Sequence, residues 1–150
     1  MGCRYCETIF STKVTVTING IHHKKNKCFP SLNDLLAENK KSPYLAAKMK
    51  REFTDLFYME IRSQIKKWKA LNVITISVIF REPMQGQRRD HDNVISFFLK
   101  VFMDALQKSG AIKDDSKKFV NLDLMTCEFK YVPDDQVGVT VDIYEIGDTS

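Results

Sequence analysis

Two short acidic clusters hold the residue types from which a metal-dependent reaction could be built. The first is Asp90-His91-Asp92-Asn93 and the second is Asp114-Asp115-Ser116. Basic residues stand beside both: Arg88 and Arg89 before the first, Lys113, Lys117 and Lys118 around the second. Alternate residues of an extended segment share a face, so Asp90 and Asp92 can point into one pocket where a loop gives way to a helix. A Gly-marked helix end at Gly110 lets the chain turn, so Asp114 and Asp115 are expected to return beside that pocket. Carboxylates with few competing ligands suit hard divalent ions such as Mg²⁺ or Mn²⁺, which keep waters for substrate phosphates. Like charges this close would repel and raise one pKa unless a cation neutralised them. The surrounding lysines and arginines would suit a phosphate backbone. Each cluster taken alone has a plainer reading: Asp92, or Asn93, as a helix N-cap, and Asp114-Asp115-Ser116 as a turn. Capping does not call for Asp90 or for the arginines.

Between the clusters runs a helix that is apolar nearly all round: Val94, Ile95, Phe97, Phe98, Leu99, Val101, Phe102, Met103 and Leu106. A single sheet covers only one face of such a helix, so the pattern predicts a homodimer contact through the helix over 93–109. The elements that must position the clusters follow from pattern. Lys13 to Ile18 alternates as a strand ended by Asn19-Gly20, and a basic loop, Ile21 to Pro30, contains His22, His23, Lys24, Lys25 and Lys27. Ser31 with Asp34 forms a capping-box signature for a short helix over 32–39. Ser42-Pro43 starts a second helix, whose stripe of Leu45, Met49, Phe53, Phe57, Ile61, Ile65 and Trp68 runs it to about Trp68. Val73 to Phe80 is apolar enough for a central strand, and 82–87 reads as a loop. Phe119 to Tyr131 reads as a long strand, turned by Pro133-Asp134-Asp135 into a hairpin with Val137 to Tyr144. The order β, α, α, β, α, β, β predicts a two-layer α+β domain with helices on one face of a mixed sheet.

The totals are compatible with one domain over 1–150, of which residues 1–10 carry little pattern and read as partly flexible. Composition is that of a soluble globular protein, 43% hydrophobic and 28% charged, with a net charge of +4 that permits a polyanionic partner. No apolar run approaches the roughly 18–20 residues of a membrane span, and the start lacks a signal-peptide core, so a cytoplasmic location is expected. Cys3-Arg4-Tyr5-Cys6 is a CxxC that His22, His23 and Cys28 could complete as a zinc site, but a second paired element is missing; the plainer reading is reduced thiols.

The stretch Asp90-His91-Asp92-Asn93, Asp104-Ala105-Leu106, Gly110, Asp114-Asp115-Ser116 resembles the motif of the RusA family of Holliday junction resolvases, small DNA endonucleases often encoded by phages and prophages. The resemblance covers about thirty residues; outside it only the element order and the basic loop agree. It implies a RusA-like, dimeric, Mg²⁺-dependent (or Mn²⁺-dependent) endodeoxyribonuclease that nicks four-way DNA junctions symmetrically. Its metal-binding aspartates would map onto Asp90, Asp92 and Asp115, with Asp114 as a fourth. The family also uses a helix lysine, and here the chain departs from the pattern. Counted from Asp92 that position is Ser96; counted back from Asp104 it is Lys100, as though the helix had gained one turn. Lys100 then lies ~12 Å along the axis from Asp92. The implied role for Lys100 is a contact to the phosphate in the transition state, and the plainer one is a helix-face lysine. Arg88, Arg89, Lys113, Lys117, Lys118, His23, Lys24 and Lys25 are the candidate DNA contacts. Competing readings are a non-catalytic DNA-binding protein, a nuclease for flap or other branched DNA, and an assembly protein without DNA affinity.

Overall fold

The alternation of β-branched residues in β1 (Ile9–Asn19) and the apolar run of β2 (Ile74–Pro83) put both strands into one four-stranded sheet. A computed structural model describes residues 9–20, 29–85 and 89–147 of the chain. The element order is β1, α1 (Leu32–Lys41), α2 (Pro43–Gln64), β2, α3 (His91–Ser109), β3 (Thr126–Val132) and β4 (Gly138–Gly147), an α+β fold on a mixed sheet. Strand order is β1-β4-β2-β3, with β4 antiparallel to both neighbours and β3 parallel to β2. As its composition predicts, β2 is central: Ile74, Ile76, Val78 and Phe80 are buried on the face that carries the helices.

Local signals for the first two helices are met. Ser31 Oγ accepts the Asp34 N–H and the Asp34 carboxylate accepts the Ser31 N–H at 2.8 Å, closing the capping box. Ser42 caps α2 with Pro43 at its first position. That helix ends at Gln64, short of Trp68, because Lys66 adopts a left-handed backbone, φ 53°. A lysine occupies the position where a glycine would have marked the stop. Trp68 still packs against the core from the turn that follows. The same end of α2 closes the open edge of β1: the Gln64 amide accepts the Thr17 N–H at 2.7 Å and donates to the Thr17 carbonyl at 2.6 Å, as a neighbouring strand would.

The expected hairpin is not formed. β3 and β4 are separated by β2, and the link between them straddles the end of that strand through a 3-10 turn, Asp134–Gln136. Two strand spacings are roughly 10 Å, within reach of the five residues 133–137. Arg81, near the end of β2, holds this crossing by donating to the Gln136 carbonyl, to Thr140 Oγ1 and to Asn19 Oδ1. Its pKa is lowered by burial. β4 approaches β1 so closely here that a Cβ at Gly138 would collide with the Ile18 carbonyl oxygen. The long strand over 119–131 is also shorter than its pattern. Only Val120 bridges to Ile74, and Asn121 caps a 3-10 turn over Leu122–Leu124 before β3 starts.

The core explains why α3 is apolar nearly all round. Phe98 meets Phe80 of β2 on one side and Phe57 of α2 on the other, with ring centroids 5.3 and 5.6 Å apart. Phe29 lies in the stretch assigned above to a basic loop, yet it is buried edge-on against Phe53, Phe57 and Phe98. Ion pairs from Lys50 to Asp104 (3.6 Å) and from Lys108 to Asp55 (2.9 Å) join α2 to α3 at the surface. Val94, Phe97, Phe98, Val101, Phe102, Ala105 and Leu106 are thus wholly buried inside one chain. Among the described residues, none of the large apolar side chains left exposed lies on α3. The reason for expecting a homodimer contact through 93–109 falls away: sheet, α2 and Phe29 together cover what one sheet could not. Among the described residues no helix is long and apolar enough to cross a membrane.

Candidate functional site

Asp90, not Asp92, caps α3. Its Oδ1 accepts the Asp92 N–H at 3.0 Å and its Oδ2 accepts from Asn93 Nδ2 at 3.3 Å. Asp92 lies in the first turn, exposed, and its carboxylate has no partner among the described residues. Both carboxylates therefore stand exposed at the head of the helix, two residues apart.

What steadies this head was only partly legible in the sequence. The imidazole of His91 lies flat on the Phe129 ring, centroids 3.6 Å apart and planes 2° apart, and its Nε2 is hydrogen-bonded to Tyr131 Oη at 3.0 Å. Phe129 in turn stacks on Phe80, carrying the contact into the core. Arg89 donates to both oxygens of Glu82, at 3.1 and 2.6 Å, and reaches Asp34 of the α1 capping box at 3.9 Å. Glu82 is only 4% exposed. Arg89, expected as a phosphate contact, has its guanidinium paired with a buried carboxylate. Both Glu82, placed above in a loop although β2 runs on to Pro83, and Tyr131 are passed over by the sequence reading. Glu82 falls in step with Ile76, Val78 and Phe80, and Tyr131 in step with Phe129, on the helix-covered face.

The second acidic cluster lies elsewhere. Asp114 Oδ1 accepts the Ser116 N–H at 2.8 Å, and the Ser116 hydroxyl, followed by its backbone N–H, holds the Asp114 carboxyl below its ordinary pKa. The Ser116 carbonyl accepts from Phe119 and Val120, and the Phe119 carbonyl accepts the Ile74 N–H. Asp114 and Asp115 thus sit near the start of β2, whereas Glu82 and Arg89 tie Asp90 to its end. The eight residue steps from Ile74 to Glu82 span on the order of 25 Å. One chain does not bring Asp115 or Asp114 beside Asp90 and Asp92. Among the described residues no group of three or more His, Cys, Asp or Glu side chains is placed to hold a metal ion. The expectation that the chain folds back past Gly110 fails because α3 is 19 residues long and Ala111 is pinned beneath its far end by the Ala70 N–H.

Lys113, Lys117 and Lys118 are exposed at that far end. Lys100 is exposed in mid-helix, two turns from Asp92 on the row Asp92-Ser96-Lys100. Ser96, one turn from Asp92, is half-buried. Arg88, His23, Lys24 and Lys25, and the Cys3, Cys6, His22 and Cys28 of the zinc reading, lie outside the described residues. Cys127 is half-buried, and burial pushes its thiol pKa up, away from ligand or nucleophile behaviour.

The donor set fits a divalent ion in part. Mg²⁺ needs only one or two protein carboxylates when substrate phosphates complete its shell, and Asp90 with Asp92 meets that requirement. A four-aspartate site within one chain does not fit. A scan of family models and a search of curated proteins find no match to the chain.

Proposed function

We propose that the protein is a RusA-like, Mg²⁺- or Mn²⁺-dependent endonuclease acting on branched DNA, with four-way junctions as its substrate. The observation that supports this reading is the pair Asp90 and Asp92, both exposed at a helix head that His91, Phe129 and Arg89 anchor to the core. A bound ion would supply an activated water and neutralise charge on the scissile phosphate. The chain's own residues do the rest. Asp90 is fixed by its capping bonds, and Asp92 projects freely beside it. His91 is clamped by Phe129 and Tyr131 and keeps an Nδ1 with no partner among the described residues; with Nε2–H donated to Tyr131 Oη, that Nδ1 could take a proton. Lys100 offers its ammonium along the same row.

Asp115 can join the pair only from a second copy, so a three-carboxylate site requires a homodimer built on a surface other than α3. Such a dimer would present two sites to a two-fold junction and explain paired nicks. Mixing inactive Asp90→Asn and Asp115→Asn chains then restores nicking, because a mixed dimer holds one intact site. Absence of restoration, with both single variants inactive, would rule out sharing between copies.

A second reading is favoured by the roles the acids already play, Asp90 as a cap and Asp114 in a turn. A non-catalytic DNA-binding protein would bind junctions whether or not Mg²⁺ is present and leave them uncut. A cleavage assay with Mg²⁺ on a four-way junction, a flap and a linear duplex separates the readings: scission of the junction supports the nuclease, and binding without scission supports the alternative.

A further inference from the structure

A cleft of about 700 Å³ opens at the other end of α3, between residues 69–73 and the segment that follows Gly110. Small-molecule sites fall roughly between 300 and 1,000 Å³. Three lysines line it, Lys69, Lys113 and Lys118, and no carboxylate does. None of the three forms an ion pair with another described residue. The acid closest in sequence, Asp114, is turned onto Ser116, and Lys113 and Lys118 act on its carboxyl only as weaker, longer-range charges. Three lysines at one concavity, with no carboxylate in its lining, favour an anion as its occupant.

The cleft has a second character. Phe119, half-buried, forms part of its wall, and Leu71 stands at its rim 86% exposed. Asn72 adds an amide with no partner among the described residues. The walls are braced: Ala70 donates to the Ala111 carbonyl at 2.9 Å, Ile74 to the Phe119 carbonyl at 2.9 Å, and the buried Glu145 carboxylate holds the Leu71 N–H from behind at 2.6 Å. Cationic groups for a phosphate, an aromatic face for a base and an amide for a base edge are the requirements of a nucleotide.

We infer that this cleft binds a nucleoside phosphate, either free or as one unit of a single strand, through Lys69, Lys113 and Lys118 on the phosphate and Phe119 on the base. The inference does not require the nuclease reading, since within one chain the acid pair lies at the opposite end of β2; the use of EDTA keeps the two apart even where a second copy brings Asp115, and with it Lys113 and Lys118, to the pair. The test uses the full chain in EDTA, with adenosine 5′-monophosphate followed by calorimetry and a fluorescein-labelled eight-residue thymidine strand followed by anisotropy. Saturable, salt-sensitive binding of either probe is expected. Lys69→Ala/Lys113→Ala/Lys118→Ala should weaken it by about tenfold or more, and Phe119→Leu by about fivefold or more. Lys40→Ala/Lys41→Ala/Lys48→Ala, on the first two helices, should leave it within about twofold. Asp90→Asn should leave it unchanged even where cleavage is lost. Comparable affinity for both probes identifies a free nucleotide as sufficient; binding of the strand alone identifies a strand unit. Failure of both probes to saturate, or equal loss in the cleft and control variants, overturns the inference.

Discussion

The two ends of α3 are built on opposite plans. At its head, two carboxylates stand over a firm base, in which His91 lies on Phe129, Phe129 on Phe80, and Arg89 on the buried Glu82. At its tail, lysines surround an open cleft whose walls are joined by backbone hydrogen bonds. The difference separates two tasks. A group that must hold or move a proton needs fixed geometry, which ring stacking and a bidentate ion pair provide. A group that only neutralises phosphate tolerates a flexible, solvated ammonium. The helix between them is the common support, so anything that loosens it should damage both ends together.

The largest expected effect comes from that support. Phe98→Ala removes a wholly buried ring that touches β2 and α2 together, and should cost about 3–5 kcal/mol in denaturant unfolding. Next comes a change confined to the head. Glu82→Gln strips the charge that the Arg89 fork is paired with, at a cost of about 2–3 kcal/mol, discounted because Arg89 keeps some solvent. It should lower any nuclease rate while leaving the cleft intact; equal damage at both ends would show that the ends are not independent. Asp90→Ala removes the cap and should cost about 1 kcal/mol, whereas Asp115→Ala, at an exposed position, should stay within about 0.5 kcal/mol.

How much of this was legible in the sequence differs from residue to residue. The capping box of Ser31 with Asp34, the Ser42-Pro43 start and the central position of β2 follow from local chemistry and from composition, and all are found. The β3–β4 hairpin failed because alternation marks a strand but not its neighbour, and five linking residues are enough to straddle β2. The end of α2 was hidden because a lysine, Lys66, takes the left-handed position. At the candidate site, spacing put Asp90 and Asp92 together but could not report that a 19-residue helix holds Asp115 far off. Arg89 looked like one more surface cation because its partner, Glu82, is marked only by strand parity. The dimer inferred from α3 counted the sheet but not α2 or Phe29.

The smaller predictions refine the same contrast. Lys66→Gly relieves the left-handed backbone beside the tail and should raise stability by about 0.5–1 kcal/mol. The Asp114 carboxyl titrates below its ordinary range in the folded chain because of Ser116, so the stability it contributes is present above the unfolded pKa and is lost as pH falls through the depressed value. Asp114→Asn should flatten that acid limb slightly, seen as a smaller drop in Tm between neutral and strongly acid buffer.

The central claim rests on Asp90 and Asp92. Its most direct test is cleavage of a synthetic four-way junction by the wild-type chain and by Asp90→Asn, each with Mg²⁺ and with EDTA, beside a binding measurement. Mg²⁺-dependent nicks are expected from the wild-type chain, with cleavage abolished in Asp90→Asn and junction binding retained by both. Undiminished cleavage by Asp90→Asn, or binding without any scission by the wild-type chain, would contradict it.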